Sequence, residues 1–261
     1  MLIAAVRAAI EAGNAIMDVY SNPKADFQIE LKADNTPLTI ADRRANELIT
    51  KALSATPFPV LSEEGKLTPY EERQQWKALW IVDPLDGTKE FIKKNGEFTV
   101  NIAFVVNGNP VLGVIYVPAS GVLYFADTRV GAFKIAKVTG ADSWPHLLAQ
   151  AVRLPFPEPH DGYVVVASRS HLSPETEQYI RGIQRSRDNV STVAKGSSLK
   201  LCLIAEGVAD VYPRFSPTME WDIAAGHAIV RAAGKNVYRM DNHKPLVYNK
   251  ENLVNPWFIS Q

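Results

Sequence analysis

The residues best suited to chemistry in this sequence form one short run, Asp83-Pro84-Leu85-Asp86-Gly87-Thr88. Two carboxylates stand three positions apart, Pro84 fixes its own φ angle, and Gly87 permits a sharp turn. Such a turn can aim both carboxylates and the Leu85 carbonyl at one point, which gives the oxygen ligands that Mg²⁺ prefers. The backbone N–H groups of Gly87 and Thr88 are then available to an anion. The alternative is an ordinary strand-end turn, where Asp, Pro and Gly are common.

Three other segments carry carboxylates in patterns that each have an ordinary explanation. The run Ser62-Glu63-Glu64-Gly65 follows a strand-like stretch, and adjacent glutamates are typical of a solvated loop. The pair Trp221-Asp222 precedes an Ala/Gly-rich helix, where Asp222 suits the N-cap position. Thr39 and Asp42 have the spacing of a capping box, with Asp in place of the usual Glu. Each segment alone predicts a loop or a helix cap, so only their combination with the first run indicates a common site.

Read in chain order, the motifs x-x-E-E, D-P-x-D-G-T and W-D-x-A-A-G resemble those of the lithium-sensitive, Mg²⁺-dependent phosphatase superfamily that includes inositol monophosphatases. The resemblance covers nearly the whole chain. It implies a phosphomonoesterase with two or three Mg²⁺ ions as its cofactor, and inhibition by Li⁺.

Four further runs resemble the 3′(2′),5′-bisphosphate nucleotidase branch of that superfamily. They are Gly87-Thr88-Lys89-Glu90-Phe91, Gly196-Ser197-Ser198-Leu199-Lys200, Ala209-Asp210-Val211-Tyr212-Pro213-Arg214-Phe215 and Trp221-Asp222-Ile223-Ala224-Ala225-Gly226-His227. Inositol monophosphatases typically have G-T-T-N-F where this chain has G-T-K-E-F. The resemblance implies hydrolysis of the 3′-phosphate of adenosine 3′,5′-bisphosphate (PAP) to AMP and phosphate, linked to sulfate assimilation. The sulfated parent of PAP, PAPS, stays open as a second small-molecule substrate.

The same resemblance implies roles for individual residues. The implied metal ligands are the carboxylates of Glu63, Asp83, Asp86 and Asp222 and the carbonyl of Leu85. Asp83 is expected to bridge two ions. Thr88 and Asp42 match the pair that positions and deprotonates the attacking water, with Glu63 nearby as a third catalytic residue.

A substrate with two phosphates needs a second anion site in addition to the one for the reacting phosphate. Gly87 and Thr88 are expected to hold the reacting phosphate, beside Asp222. The expected nucleotide contacts are Gly196, Ser197, Ser198, Lys200, Arg214 and His171. Lys200 and Arg214 are the candidates for the 5′-phosphate, although each could equally be an exposed surface cation. His171 could equally be a histidine of a surface loop.

Hydrophobic spacing predicts the elements that must position these residues. A helical period predicts helices over about 3–20 and from Thr39 to before Pro57. Residues 78–82 are predicted to form a buried strand that ends at Asp83, and the β-rich runs over 98–135 predict a mostly antiparallel meander. The rest of the pattern predicts strands at 163–167, 209–212 and 236–240 and helices from about 174, over about 198–206 and from Asp222 to about 233.

Helices that alternate with two groups of strands favour a layered α+β or α/β sandwich, and the resemblance implies alternating α-β-α-β-α layers. The Pro-rich and polar stretch over 141–162 predicts a connection between two closely packed lobes, residues 1–140 and 141–261. The first lobe would carry the metal-binding motifs and the antiparallel sheet. The second would carry the nucleotide-binding segments, with the active site between the two.

The composition excludes several classes of protein. The 28 basic and 28 acidic residues balance, which argues against a nucleic-acid partner. The single cysteine permits no intrachain disulfide and no cysteine-ligated metal cluster. The N-terminus lacks the basic region of a signal peptide, and no apolar run is long enough for a transmembrane segment. A cytoplasmic location is expected, while peripheral association with the inner membrane and the oligomeric state stay open.

Two alternatives to a bisphosphate nucleotidase remain at this point. An inositol monophosphatase or a fructose-1,6-bisphosphatase-like sugar phosphatase would have the same metal ligands, since specificity lies in other loops. A catalytically silent protein that binds Mg²⁺ or a nucleotide is the other alternative, and the carboxylates at every expected ligand position argue against it. No G-x-S-x-G, H-E-x-x-H or Walker A motif supports a different hydrolase chemistry.

Overall fold

The computed structural model describes residues 1–22, 27, 29–31, 37–138, 143–156, 160–169 and 172–261. Within these residues the helices are α1 (Leu2–Tyr20), α2 (Ile40–Leu53), α3 (Tyr70–Arg73), α4 (Thr88–Ile92), α5 (Trp144–Gln150), α6 (Pro174–Ser186), α7 (Leu199–Glu206) and α8 (Glu220–Ala232).

The strands in the same residues are β1 (Glu30–Leu31), β2 (Pro37–Leu38), β3 (Val60–Ser62), β4 (Ala78–Asp86), β5 (Thr99–Val106), β6 (Asn109–Val117), β7 (Val122–Asp127), β8 (Gly131–Ile135), β9 (Val152–Leu154), β10 (Tyr163–Ser168), β11 (Val190–Lys195), β12 (Tyr212–Arg214), β13 (Val237–Arg239) and β14 (Phe258–Ser260).

A large sheet and a smaller one alternate with three layers of helices. The large sheet has the order β3-β4-β5-β6-β7-β8-β9 and is antiparallel except for the parallel pair β3 and β4. Helices α1 and α2 cover one face of it, and α7 and α8 cover the other. On the far side of α7 and α8, β10 and β11 adjoin the group β12-β14-β13 through a single bridge between Val165 and Val211. Helix α6 packs outside this second sheet, which confirms the predicted α-β-α-β-α sandwich.

Strand β4 shows how the sequence specifies a sheet that is covered on both faces. Leu79 and Ile81 pack into the core that contains α7 and α8, whereas Trp80 and Val82 pack into the core beneath α1 and α2. Successive side chains of a strand point to opposite faces, so a strand buried on both faces needs a continuous apolar run. The apolar run over 78–82 meets this requirement and is followed directly by Asp83, which is also buried.

The structure corrects several predictions of secondary structure. Strand β4 continues beyond Asp83 to Asp86, and α8 begins at Glu220, so that Asp222 is the third residue of the helix and not its N-cap. The stretch over 141–162 contains α5 and β9 and is more than a connection, because Leu147 is buried in the core and β9 pairs with β8. The strand predicted at 209–212 begins instead at Tyr212.

Strand β11 has no counterpart in the sequence prediction. Its residues are mostly polar or half-exposed, because it pairs with β10 alone at the edge of the second sheet. The division into two lobes stays a prediction, and residues 139–142 at its boundary lie outside the described part of the chain. No helix among the described residues has the length and hydropathy needed to span a bilayer.

Helix α8 lies unusually close to the large sheet at Gly113. A Cβ atom at this position would come within 2.3 Å of the Ala225 carbonyl oxygen and 2.9 Å of the Ala228 Cβ. Gly113→Val should therefore push α8 from the sheet and destabilise the protein by about 2–3 kcal/mol, the usual cost of overpacking a core. Chemical denaturation measures this loss.

Gly182→Ala is the matched control, since Gly182 is exposed on α6 and an added Cβ would meet nothing within 4 Å. This substitution should stabilise the protein by up to about 1 kcal/mol through the higher helix propensity of alanine. Equal stabilities for Gly113→Val and the wild type would contradict the close packing of α8.

Candidate metal centre and active site

A β-bulge brings Asp83 and Asp86 to the same side of β4. Asp83 pairs with Asn101 of β5, and Asp86 pairs with Thr99, so three steps along β4 match two steps along β5. Residues three apart in a regular strand point to opposite faces, and the extra residue reverses this. Within the bulge, the Leu85 N–H donates to Asp83 Oδ1 at 3.0 Å. The run that looked like a simple turn is therefore a distorted strand end that presents two carboxylates together.

Carboxylates from three separate elements converge at this strand end. One carboxylate oxygen each from Glu63, Asp83 and Asp222 lies within 4.8 Å of the other two. Glu63 directly follows β3, where its N–H donates to the Val82 carbonyl at 3.1 Å. Asp222 lies in the first turn of α8, where its Oδ2 accepts the Met219 N–H at 2.9 Å. The structure thus brings together three of the predicted metal ligands.

The electrostatics of this cluster favour a bound cation. Burial raises the pKa of Asp83 well above its usual value, and the negative charges of Glu63, Asp86 and Asp222 raise it further. Burial also raises the pKa of Asp222 to about 8, with further contributions from Asp86 and Glu63. A small divalent cation would relieve this repulsion, and oxygen donors are the ligands that Mg²⁺ prefers. The residues present therefore fit the predicted cofactor.

Asp86 lies beside the three converging carboxylates but is not one of them. Its Oδ2 is 2.8 Å from Ser198 Oγ and 3.3 Å from Asn101 Nδ2. Ser198 Oγ is also 2.8 Å from the Asp222 carbonyl oxygen, so this hydroxyl links the start of α7 to both β4 and α8. The Leu85 carbonyl oxygen lies 3.3 Å from Thr88 Oγ1. The metal-ligand roles of Asp86 and Leu85 stay predictions.

Asp42 and Thr88 form a hydrogen-bonded pair at the edge of the cluster. Thr88 Oγ1 donates to Asp42 Oδ1 at 3.2 Å. The other oxygen of Asp42 accepts from the Thr39 N–H at 2.8 Å and from the Thr39 hydroxyl at 2.5 Å, which confirms the capping box of α2. Burial raises the pKa of Asp42, although the hydrogen bonds from Thr39 oppose the shift. A carboxylate with a raised pKa is the stronger base.

The predicted site residues surround one cavity of about 300 Å³. Those that line it are Glu63, Asp83, Leu85, Asp86, Gly87, Thr88, Gly196, Ser197, Ser198, Lys200, Arg214 and Asp222. Of the remaining two, Asp42 contacts the cavity through Thr88, and His171 lies outside the described residues. Segments more than 130 positions apart in the sequence thus share one space.

Lys200 and Arg214 are buried, with 6% and 8% of their surfaces exposed, so neither is a solvated surface cation. Burial lowers the pKa of Lys200 to about 8, and the charge of Asp86 opposes this shift. The Lys200 ammonium donates to the Ser197 carbonyl, and Arg214 Nη2 donates to the Pro217 carbonyl at 3.1 Å. Both cations therefore lie inside the cavity with the carboxylates.

Other residues that line the cavity were not among the predicted site residues. Trp221 and Tyr212 are the largest of them. The Trp221 indole N–H and the Ser197 hydroxyl are buried and have no hydrogen-bond partner in the described residues. The position of Trp221 directly before Asp222 is the sequence signal that could have identified it. Tyr212 carries no such signal, since its apolar neighbours make it look like an ordinary core residue.

Comparison with known proteins agrees with this geometry. A model of the inositol monophosphatase family matches residues 1–257. The chain belongs to this family. The inositol monophosphatase family is metal-dependent, which agrees with the cluster of Glu63, Asp83 and Asp222.

Individual members of the inositol monophosphatase family are similar over almost their full length. A protein of Shigella flexneri named 3′(2′),5′-bisphosphate nucleotidase CysQ is 43% identical over 99% of this chain and 98% of its own. The protein of the same name from Escherichia coli K12 has the same identity and coverage. The crystal structure of CysQ from Bacteroides thetaiotaomicron, described as a bacterial member of the family, matches with a TM-score of 0.92 at 55% identity. It covers 100% of this chain and 96% of that one.

The raised pKa values predict how the metal-free protein responds to pH. Folded Asp83 and Asp222 keep protons that the unfolded chain loses at a pH near 4. The free energy of unfolding should therefore fall as the pH rises from about 4 to about 8. Saturating Mg²⁺ should abolish the fall. Thermal unfolding at pH 5 and pH 8, with chelator or with Mg²⁺, measures both effects.

Asp83→Asn should raise the melting temperature of the metal-free protein at pH 8 by roughly 5 °C or more, because it removes a carboxyl group that on folding must either bind a proton or add a repelling charge to the cluster. The same variant should lose most of the stabilisation by Mg²⁺. Asp18→Asn, at an exposed position of α1, is the control and should change neither quantity. A lower melting temperature for metal-free Asp83→Asn would refute the repulsion.

Proposed function

We propose that this protein is a Mg²⁺-dependent phosphomonoesterase that hydrolyses the 3′-phosphate of PAP to AMP and phosphate. The observation that carries the proposal is the convergence of Glu63, Asp83 and Asp222 next to the pair of Asp42 and Thr88. The full-length similarity to proteins named 3′(2′),5′-bisphosphate nucleotidase supports the choice of substrate and a role linked to sulfate assimilation.

Five groups of this chain would hold two or three Mg²⁺ ions. They are the carboxylates of Glu63, Asp83, Asp86 and Asp222 and the carbonyl of Leu85. Bound ions of this kind stabilise the negative charge that develops on the entering and leaving oxygens of a phosphoryl transfer. Ser198 and Asn101 hold Asp86 in place, and the Met219 N–H holds Asp222. Asp86 and Asp222 are therefore held in position by protein hydrogen bonds that do not depend on a metal ion.

Asp42 and Thr88 would together remove a proton from the attacking water. The Thr88 hydroxyl can accept a proton from water while it passes its own proton to Asp42 Oδ1, 3.2 Å away. Burial raises the pKa of Asp42, which improves it as a general base. The two hydrogen bonds from Thr39 to the other oxygen keep Oδ1 directed at Thr88. Glu63 lines the same cavity as Thr88 and is the third catalytic candidate.

Separate features of the cavity would bind the two phosphates of the substrate. The N–H groups of Gly87 and Thr88 would bind the reacting phosphate, beside Asp222. Lys200 and Arg214 would bind the 5′-phosphate, and Gly196, Ser197 and Ser198 would contact the nucleotide. The Ser197 hydroxyl and the Trp221 indole N–H, which lack partners in the described residues, would donate to substrate oxygens. PAPS fits the same scheme with a sulfated 5′-phosphate, and a cytoplasmic location is part of the proposal.

A substrate panel tests the proposed activity. Phosphate release should be fastest from PAP, compared with PAPS, inositol 1-phosphate and fructose 1,6-bisphosphate, and it should require Mg²⁺ and be inhibited by Li⁺. Asp83→Asn should lower kcat by about a hundredfold or more, because it removes a metal ligand. Asp18→Asn should leave kcat unchanged. Faster turnover of inositol 1-phosphate or the sugar phosphate would favour the corresponding alternative enzyme, and binding of PAP without turnover would refute the activity.

Variants at Lys200 and Arg214 test the second anion site. Lys200→Met and Arg214→Met should each raise the KM for PAP by about tenfold or more, since each removes a buried cation beside the expected phosphate. The KM for 3′-AMP, which lacks the 5′-phosphate, should change less. Equal increases of KM for the two substrates would exclude both residues from the 5′-phosphate site.

A further inference from the structure

Glu97 lies outside every motif of the sequence, yet it connects two groups of segments that form the cavity. The first group includes residues 83–88, and the second includes Ser168 and the turn over 196–198. It belongs to the short loop between α4 and β5, on the side of the molecule that carries the metal ligands. Its side chain is 15% exposed, so it is largely buried between the two groups of segments. The contacts of its carboxylate all lead to the other side of the cavity.

Both oxygens of Glu97 accept hydrogen bonds from the ends of two parallel strands. Oε2 accepts the Gly196 N–H at 2.8 Å and Arg169 Nε at 2.9 Å. Oε1 accepts Arg169 Nη2 at 2.9 Å and Lys195 Nζ at 3.3 Å. Arg169 directly follows β10, and Lys195 ends β11. One carboxylate therefore holds the carboxyl ends of both strands.

The residues adjacent to these contacts are the ones that line the cavity. Ser168 precedes Arg169, and Ser197 and Ser198 follow Gly196. Ser197 has a φ angle of 40°, a left-handed conformation that is unfavourable for a serine and needs support from its surroundings. The bond from the Gly196 N–H to Glu97 fixes the peptide between Lys195 and Gly196, one peptide unit before the one that joins Gly196 to this strained residue.

The main chain of Glu97 also sets the distance between the two groups of segments. A Cβ atom on Gly87 would lie 3.1 Å from the Glu97 carbonyl oxygen, and one on Gly196 would lie 3.0 Å from the same oxygen. The segment over 83–88 and the turn over 196–198 therefore both pack against Glu97. Burial alone would raise the pKa of Glu97, but the hydrogen bonds from Arg169 and Gly196 outweigh burial and lower the pKa, so the carboxylate stays ionised.

We propose that Glu97 is a positioning residue for substrate binding. Through its bonds to Arg169, Lys195 and the Gly196 N–H, it holds Ser168 and the turn over 196–198 against the segment over 83–88. The inference rests on the proposed function, because it assigns the 196–198 turn to the nucleotide. Among the described residues, the carboxylate of Glu97 bonds to Arg169, Lys195 and Gly196, and none of these is a proposed metal ligand.

Ser198 keeps its own contacts with Asp86 and the Asp222 carbonyl when Glu97 is lost, and Asp86 keeps its bond from Asn101. The loss of Glu97 should therefore weaken substrate binding and leave the chemical step and the metal requirement intact.

Glu97→Gln tests this role, because the amide keeps the size of the side chain and removes the charge that binds Arg169 and Lys195. The KM for PAP should rise by about tenfold, since charge-assisted bidentate bonds are lost, while kcat changes less than about threefold. The Mg²⁺ concentration for half-maximal activity should not change. Arg169→Gln should raise KM in the same direction by a smaller factor, because Glu97 keeps its bonds to Lys195 and Gly196.

Glu177→Gln is the matched control, since Glu177 forms an exposed ion pair with Arg181 on α6. It should leave KM, kcat and the Mg²⁺ requirement unchanged. An unchanged KM in Glu97→Gln, with or without a lower melting temperature, would overturn the positioning role. A lower kcat with a higher Mg²⁺ requirement would also overturn it, because Glu97 would then support the metal centre.

Hydrogen exchange separates this inference from the proposed function, because it needs no substrate. In Glu97→Gln, the amides of residues 194–199 should exchange faster than in the wild type, whereas those of 83–88 should keep their rates. Unchanged exchange over 194–199 would refute the positioning role. A wild-type protein that releases no phosphate from PAP would refute the proposed function alone.

Discussion

Repulsion between buried carboxylates is the constraint around which this structure is organised. Glu63, Asp83 and Asp222 lie close together, and because Asp83 is buried and the other two are half-buried, water screens their charges only in part. The fold resists this repulsion by drawing each carboxylate from the end of a different well-packed element: β3, the bulge of β4 and the first turn of α8. Each of these elements is anchored by its own core contacts, so the carboxylates cannot separate without disturbing the core. The strained cluster is thereby ready for a cation.

The same cavity also contains buried positive charge. Lys200 and Arg214 line the cavity together with the carboxylates. The charge of Lys200 acts to lower the pKa of Asp86, and the charge of Asp86 acts to raise the pKa of Lys200. A cavity with only acidic groups would bind cations and repel phosphates. A cavity with both signs of charge can bind metal ions at one end and a second anionic group of the substrate at the other. Under the proposed function, the buried cations would bind the second phosphate of the substrate.

The sequence predicts much of this site because the decisive residues sit in short, local patterns. The capping box of Thr39 and Asp42, the Asp-rich end of β4 and the motif around Asp222 are each visible within a few residues. The bulge was not predictable, because the register between β4 and β5 depends on a partner strand. Glu97 and Tyr212 were missed for a related reason: their roles come from contacts with segments distant in the sequence. Helix α5 and strand β9 were hidden by a polar, Pro-rich composition that is typical of loops.

The close contact at Gly113 has a consequence for the metal centre. Helix α8 carries Asp222 at its start, and the carbonyl of Ala225, one turn later, lies against Gly113 in the middle of the large sheet. The thickness of this helix–sheet layer therefore determines how far Asp222 stands from Asp83. Mutations that change side-chain volume in the layer, with no contact to the cation, would alter ion affinity through this spacing.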